Sequence, residues 1–377
     1  MGNHLSLAER VAVVSHLVEG ASVRSTSRLT GTCKEAILSL LVRIGEGCDR
    51  LHNQLVHNLD IREIQCDEIW SFVHTKQARV KPEDPPEYGD AYAYLALART
   101  KKLIVSYRVG KRDEATTKAF VADLRARLVT IPEVSTDGWQ SYPTAIGQSF
   151  GGSVDHAVIQ KNYSKKRRAD GQRHDHRYEP PRDPFITKRA EHGAPDLDRA
   201  STSHVERANL TVRMHIRRFT RLCNGFSRKI ENHRAAISLH VAFYNFVRVH
   251  EALRVTPAME AGITSQVWTV EELVERALAA APCDPPKPRD LAPPAPTPGE
   301  KQGAARKLPD GKGWLRVIDG GKAKPSEAPK PPPPPVPVRY PTPRVDDYEA
   351  HWQQMDLFLW KQKERRLAFF DDPEDDE

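Results

Sequence analysis

IREIQCDEIWSFV, residues 61–73, has the composition of a buried strand with acid placed inside it. Ile61, Ile64, Ile69, Trp70, Phe72 and Val73 are strand-forming residues, yet Asp67 and Glu68 stand among them. An ionised carboxylate in such surroundings costs several kcal/mol unless a metal or a cation meets it, so Asp67 calls for a partner. Working outward, Ala91–Ala98 and Leu103–Val109 predict a hairpin across Arg99-Thr100-Lys101-Lys102. Asp113–Leu128 predicts an amphipathic helix with Ala115, Phe120, Leu124 and Leu128 inward. Further strands are expected over Glu133–Thr136 and Val154–Gln160. Three strands, a helix, a strand, a helical turn and a strand make an α/β domain with a mixed, partly antiparallel sheet.

Upstream, three helices are expected. Leu7, Val11, Val14 and Leu17 share one face, Gly20 stops the first helix, Val23–Leu29 makes a second, and Lys34–Ile44 follows the turn Thr30-Gly31-Thr32. A short helix, a Gly-containing turn and a helix fit a helix-turn-helix, with Arg24, Arg28, Thr32 and Lys34 on the outer face toward phosphates or base edges. An ordinary three-helix packing unit fits the same pattern.

The chain has 377 residues with 57 Lys plus Arg, 50 Asp plus Glu and a net charge of +7, enough for one or two domains with their own core. Its five cysteines are odd in number, widely spaced and without a Cys-x-x-Cys pair, which argues against a disulfide framework or a four-cysteine zinc site. No apolar run approaches a bilayer span and the first residues lack a leader pattern, so a soluble, cytoplasmic setting is expected. Of 30 prolines, 19 fall between Pro282 and Pro343. This predicts a Pro-rich disordered linker over 281–345, followed by a short amphipathic helix and acidic tail over 346–377. Between Gln160 and Arg234, 19 Lys plus Arg meet 9 Asp plus Glu, a local +10. That stretch reads either as a solvated surface or as a face for polyphosphate.

Two more carboxylates stand out. Asp137 follows the strand Glu133–Thr136, at the carboxyl edge of a sheet, where ligand sites gather. Glu206 opens a long helix after Ser201-Thr202-Ser203, with Ser201 or Ser203 as candidate caps; a first-turn Glu also suits the helix dipole. Both readings of Glu206 stand: helix end or ligand. Acids from two strands and a helix can cage hard divalent cations, and two such ions about 3.5 to 4 Å apart would drive in-line phosphodiester chemistry. Arg213 and Arg217 fall within about 20° of Glu206 around that helix, while Val205, Val212, Ile216 and Phe219 mark its buried face. Arg218 and Arg221 extend the basic row toward Asn224-Gly225, where the helix is expected to stop.

The segments CDEIWSFVHTKQ, STDGWQSY and STSHVERANLTVRMHIRRFTRLCNGFSRKIENHRAAISLHVAFYNFVRVHEALRVTPAMEAGIT resemble those of bacterial insertion-sequence transposases of the DDE class, most of all the insertion-sequence-one type group. The resemblance spans roughly residues 5 to 275. It implies a ribonuclease H-like catalytic domain, with Asp67, Asp137 and Glu206 as the catalytic, metal-binding triad for magnesium or manganese. It also puts Arg213, seven residues after the Glu, at a position where the class carries a DNA-contacting Lys or Arg. The spacings, 69 residues between the aspartates and 68 between Asp137 and Glu206, show an insertion before the catalytic helix.

Other residues read less sharply. Strand alternation turns Glu68 to the face opposite Asp67, as a surface or supporting group. His174 and His176 fall in a basic loop, and His204 precedes Glu206. Trp70, Trp139 and Tyr142 flank the aspartates; Trp70 reads as core, and Trp139 as a surface on which an unpaired base can stack. Ile230–His250 is expected to be a helix packing Ile237, Val241, Tyr244 and Phe246 on the core.

The sequence thus predicts a helix-turn-helix domain over 1–58, a ribonuclease H-like domain over 59–280 with a basic insertion at about 161–200, and the tail. The expected activity is DNA transposition: binding of terminal inverted repeats, metal-dependent cleavage and strand transfer. DNA and further copies of the chain are the expected partners, in a nucleoid-associated cytoplasmic protein with no membrane contact. A non-catalytic DNA-binding regulator and a structure-selective nuclease on the same fold are the alternatives.

Overall fold

The computed structural model describes residues 5–163, 181–220 and 223–288. The expected amphipathic helix and acidic tail, the linker beyond residue 288, His174, His176 and Arg221 lie outside them. Residues 281–288 carry no regular secondary structure.

Ser6 starts α1 (Leu7–Val18) with a capping box to Glu9. Ser22 caps α2 (Val23–Thr30), which ends on Gly31 at φ 70°. The third helix, α3, runs Lys34–Leu55, eleven residues past its expected stop at Ile44. Gly45 and Gly47, just past that expected stop, allow close approach. A Cβ at Gly45 would lie 2.5 Å from Ala235 Cα, and one at Gly47 would overlap the Ala277 carbonyl. Bare backbone on α3 therefore lets two later helices, α7 (Ile230–Ala242) and α9 (Val270–Ala279), pack directly against it.

Among the described residues a single core cluster joins Val13, Ile37 and Ile44, before residue 58, to Tyr94, Phe120, Leu239 and Leu273 after it. Arg24, Arg28 and Lys34 are exposed as expected, but Thr32 is buried, its carbonyl accepting from Ser27 Oγ.

Among the described residues the sheet has six strands in the order β3-β2-β1-β4-β5-β6. They are β1 (Glu63–Val73), β2 (Gly89–Ala98), β3 (Ile104–Gly110), β4 (Glu133–Thr136), β5 (Asp155–Tyr163) and β6 (Pro181–His192). The first three form an antiparallel meander, β4 pairs parallel to β1 and β5 parallel to β4, and β6 returns antiparallel. This is the mixed α/β sheet expected, with a sixth strand inside the tract read as a basic loop. Charged Lys188, Arg189 and Glu191 on β6 suit an edge strand, where charge discourages further pairing.

Between β3 and β4 runs α4 (Glu114–Arg127), capped by Asp113; α5 (Tyr142–Phe150) links β4 to β5. Ala115, expected inward on α4, is exposed, and Thr117 takes the inward place beside Phe120 and Leu124. The opposite sheet face presents Ile69, Ala93, Leu95 and Leu97 to α6 (Ser203–His215) and α7, against Val205, Ala208, Val212 and Ile237. With both faces covered, β2 reads as a nearly unbroken buried run.

Two helix extents differ from expectation. The Glu206 helix ends at His215, and a separate turn covers Arg217–Phe219, so Arg217 and Arg218 do not continue the helical row. Ile216 and Phe219, buried at the exit, pull the chain inward and end the helix. After α7 the chain widens into a π-turn, Phe243–Val247, which places Asn245 to bond both the amide and the carbonyl of Ile104. Ile237, Val241, Tyr244 and Phe246 are buried as expected. A short α8 (Pro257–Glu260) precedes α9.

Candidate functional site

The parallel pairing of β1 with β4 ends at Cys66 opposite Thr136, so the next residues stand at the same level, Asp67 still inside β1 and paired with Leu95 of β2, Asp137 just past the end of β4. This is the carboxyl edge of β4, as expected. Asp137 is pinned by its own turn, the Trp139 amide donating to Oδ1 at 3.0 Å. Glu206 comes from across the sheet, on the first turn of α6. The start of that helix is fixed by Gln65 of β1, whose Oε1 accepts from the amides of His204 and Val205 at 2.9 and 3.0 Å. Ser201 Oγ accepts the amide of Ser203, the first residue of α6, at 3.1 Å, and Gln65 takes the next two from the strand that carries Asp67, tying two of the carboxylates together.

All three carboxylates line one cavity of about 440 Å³, together with Arg112, Gly138 and Lys161. Each is oriented by a neutral or cationic neighbour. Asp67 Oδ1 accepts the Glu68 amide at 2.9 Å and Oδ2 accepts Asn209 Nδ2 at 2.8 Å. Glu206 Oε1 accepts Thr202 Oγ1 at 2.6 Å, and Oε2 meets Lys161 Nζ at 2.5 Å. Arg112 places one guanidinium nitrogen 3.1 Å from both Asp137 Oδ2 and Glu68 Oε2, and lies 4.4 Å over the Trp139 ring.

Glu68 differs most from its reading. Its side chain is only 2% exposed, and one oxygen each from Asp67, Glu68 and Asp137 lie within 4.8 Å of one another. Crowding shows in the titration of the group. Burial, then the charge of Asp137, pushes Asp67 up to about 7; the same causes push Glu68 to about 8; burial raises Asp137 as well. At neutral pH Glu68 holds a proton it would lose in water, and Asp67 sits near the midpoint of its titration. A hard divalent ion would displace those protons and offset the burial cost, and an all-oxygen donor set suits magnesium or manganese rather than a softer metal. The buried Asn209 Oδ1, without a hydrogen-bond partner, fits a site whose polar groups are arranged for a further occupant.

Of the basic residues expected near Glu206, Arg213 is half-buried and donates to the Phe219 carbonyl at 3.1 Å, bracing the helix exit. Arg217 is exposed. Arg218 turns inward, donating to Ser227 Oγ at 3.0 Å, and burial lowers its pKa to about 10. It therefore does not present its charge outward with Arg217. Trp139 is half-buried, with Nε1 on Thr117 Oγ1 and one face under Arg112; Trp70 packs on Phe72. His204 sits beside Lys102, and burial, then that charge, lowers its pKa.

Sequence reasoning missed Gln65, Asn209, Arg112 and Lys161. Asn209 had a legible signal, standing three residues after Glu206 on the same helical face. The others are brought in by long-range pairing and leave no local pattern.

No protein-family model matches the chain, and no curated protein matches it. Among solved structures it is similar to piggyBac transposase in a synaptic complex with hairpin DNA, at 10% identity and a TM-score of 0.36, over 72% of this chain and 69% of that one. It is also similar to Mos1 in a pre-cleavage transpososome, at 12% identity and a TM-score of 0.16, over 41% of this chain and 60% of that one. A Mos1 strand transfer complex gives 14% identity and a TM-score of 0.17, over 40% of this chain and 57% of that one. At TM-scores this low, the chemistry of the site rests on its own geometry.

Proposed function

We propose that the chain is a metal-dependent DNA transposase of the insertion-sequence kind. The observation that carries the reading is the convergence of Asp67, Asp137 and Glu206, from the middle of β1, the end of β4 and the start of α6, on one cavity beside Arg112 and Lys161. Carboxylates in so small a space repel unless cations join them, and a phosphodiester brings both the need for cations and the negative charge that basic neighbours would meet. The motif resemblance of the sequence points the same way.

In this reading Asp67, Asp137 and Glu206 hold magnesium or manganese, which supplies Lewis-acid activation of the attacking oxygen and stabilises the leaving oxygen. Asn209 and the Glu68 amide fix the Asp67 carboxylate, and Thr202 fixes that of Glu206. Gln65 holds α6 against β1, so the acids keep their separation as charge enters the site. At neutral pH the metal-free Asp67 gives up its proton on loading. Arg24, Arg28 and Lys34 on the amino-terminal helices, Arg213 in the last turn of α6, and Arg217 and Arg221 beyond it are the proposed DNA contacts, with Trp139 as a stacking surface. Arg218, turned inward, supports that face from within. Terminal inverted repeats are the proposed substrate, bound by two or more copies of the chain.

A cleavage and joining assay on the inverted repeats flanking the gene tests the proposal. Asp67→Asn, Asp137→Asn and Glu206→Gln are expected to keep end binding and lose cleavage. Cleavage without joining by the unaltered protein would assign a nuclease, and binding without either would assign a regulator.

A further inference from the structure

The two cations at the site are held in different ways. Arg112 is fixed from several sides, by Glu68 and Asp137 at 3.1 Å each and by the Trp139 ring at 4.4 Å. Lys161 stands at the end of β5, where the alternation of Ala157, Ile159 and Lys161 aims it past a small apolar cluster with Ala200 toward the start of α6. Its side chain is 34% exposed, it lines the cavity, and its ammonium meets Glu206 Oε2 at 2.5 Å. A lysine is a compact charge on a flexible four-carbon stem, whereas the Arg112 guanidinium is stacked on Trp139 and shared through one nitrogen between two carboxylates.

We propose that Lys161 is an exchangeable counter-ion, neutralising Glu206 in the metal-free protein and turning to a non-bridging oxygen of the scissile phosphodiester when divalent ions load. The inference rests on the metal-site reading above and extends it to a residue outside the triad. A dication at the Glu206 carboxylate and an ammonium on its Oε2 repel each other, which weakens the Lys161 contact. Lys161 lines the same cavity as the three acids, so once released its ammonium would reach a phosphate bound there. Two opposite consequences follow. In the DNA-free protein Lys161 competes with metal, and in the loaded complex it adds to phosphate affinity. A lysine that merely braces β5 against α6 would produce neither.

The test compares the full chain with Lys161→Met, which keeps the stem without the charge, and Lys161→Arg. Manganese affinity is measured without DNA by the electron paramagnetic resonance of free Mn2+. Affinity for a labelled duplex of the gene-flanking inverted repeat is measured with Ca2+ and with EDTA. For Lys161→Met the expected result is Mn2+ binding tightened by about tenfold, together with loss of most of the tightening that Ca2+ gives DNA binding. Lys161→Arg should resemble the unaltered protein in both. Mn2+ binding unchanged or weakened in Lys161→Met, or an unchanged Ca2+ effect on DNA, overturns the exchange while leaving the metal site standing. If the unaltered protein binds Mn2+ no better than Asp67→Asn, the metal site falls and the exchange falls with it.

Discussion

Replacing Asp67 by Asn is expected to stabilise the metal-free protein while removing its proposed activity. Asp67 titrates near 7 in the fold against 3.8 for a free carboxyl, a shift caused first by burial and then by Asp137. Between those two values the folded state holds a proton that the unfolded state has released. Stability is therefore highest on the acid side of this window and falls by about 1.4 kcal/mol per pH unit as pH rises through it, levelling off above pH 7. Across the whole window the penalty is on the order of 4 kcal/mol, and local relaxation reduces what is measured, so a gain of about 2 kcal/mol is expected from the substitution at pH 8. The hydrogen bonds survive. An amide oxygen can still accept from the Glu68 amide, and its NH2 can donate to Asn209 once that side chain flips, pairing the Asn209 Oδ1 that is otherwise unpartnered. Urea unfolding in EDTA at pH 5, 6, 7 and 8 is the assay. The stability of the unaltered protein should fall more steeply with pH than that of Asp67→Asn. Parallel pH profiles would refute the burial argument.

Gly47→Ala should cost about 1 to 3 kcal/mol in the same urea assay, since the added methyl meets the Ala277 carbonyl and must push α3 from α9. Arg127→Ala should cost about 3 to 5 kcal/mol, because that guanidinium, 3% exposed, bonds Asp123, Asn53 and the Val56 carbonyl and would leave Asp123 short of a partner. Gln65→Leu removes the acceptor for two amides at the start of α6. It should cost about 1 kcal/mol of stability and weaken Mn2+ binding, measured by titration, because Glu206 rides on that turn.

The sheet was legible in the sequence because its strands carry their own patterns. The run 61–73, the hairpin and the short β4 emerge within a residue or two of their expected places, and with them the level pairing of Asp67 and Asp137. Alternation left Glu68 as a surface or supporting group, and burial departs from the first of these. Because β4 stops at Thr136, Asp137 at the strand end meets Glu68 through Arg112. Helix α3 runs past its expected stop at Ile44 through Gly45 and Gly47: local propensity counts the cost of glycine, while the gain from close helix contact depends on residues about 190 and 230 positions away. The basic tract hid β6 because an edge strand needs no apolar alternation. Lys161 and Gln65 are ordinary polar strand residues in the sequence, and only the crossing of β5, β1 and α6 gives them their roles.

The central claim is that Asp67, Asp137 and Glu206 act as one metal-dependent site on DNA. Its most direct test is strand cleavage and joining on the gene-flanking inverted repeats, measured with Mg2+ for the unaltered protein and for Asp137→Asn. The account predicts cut and joined products from the first, and end binding with neither product from the second. Cleavage retained by Asp137→Asn at the rate of the unaltered protein would contradict it.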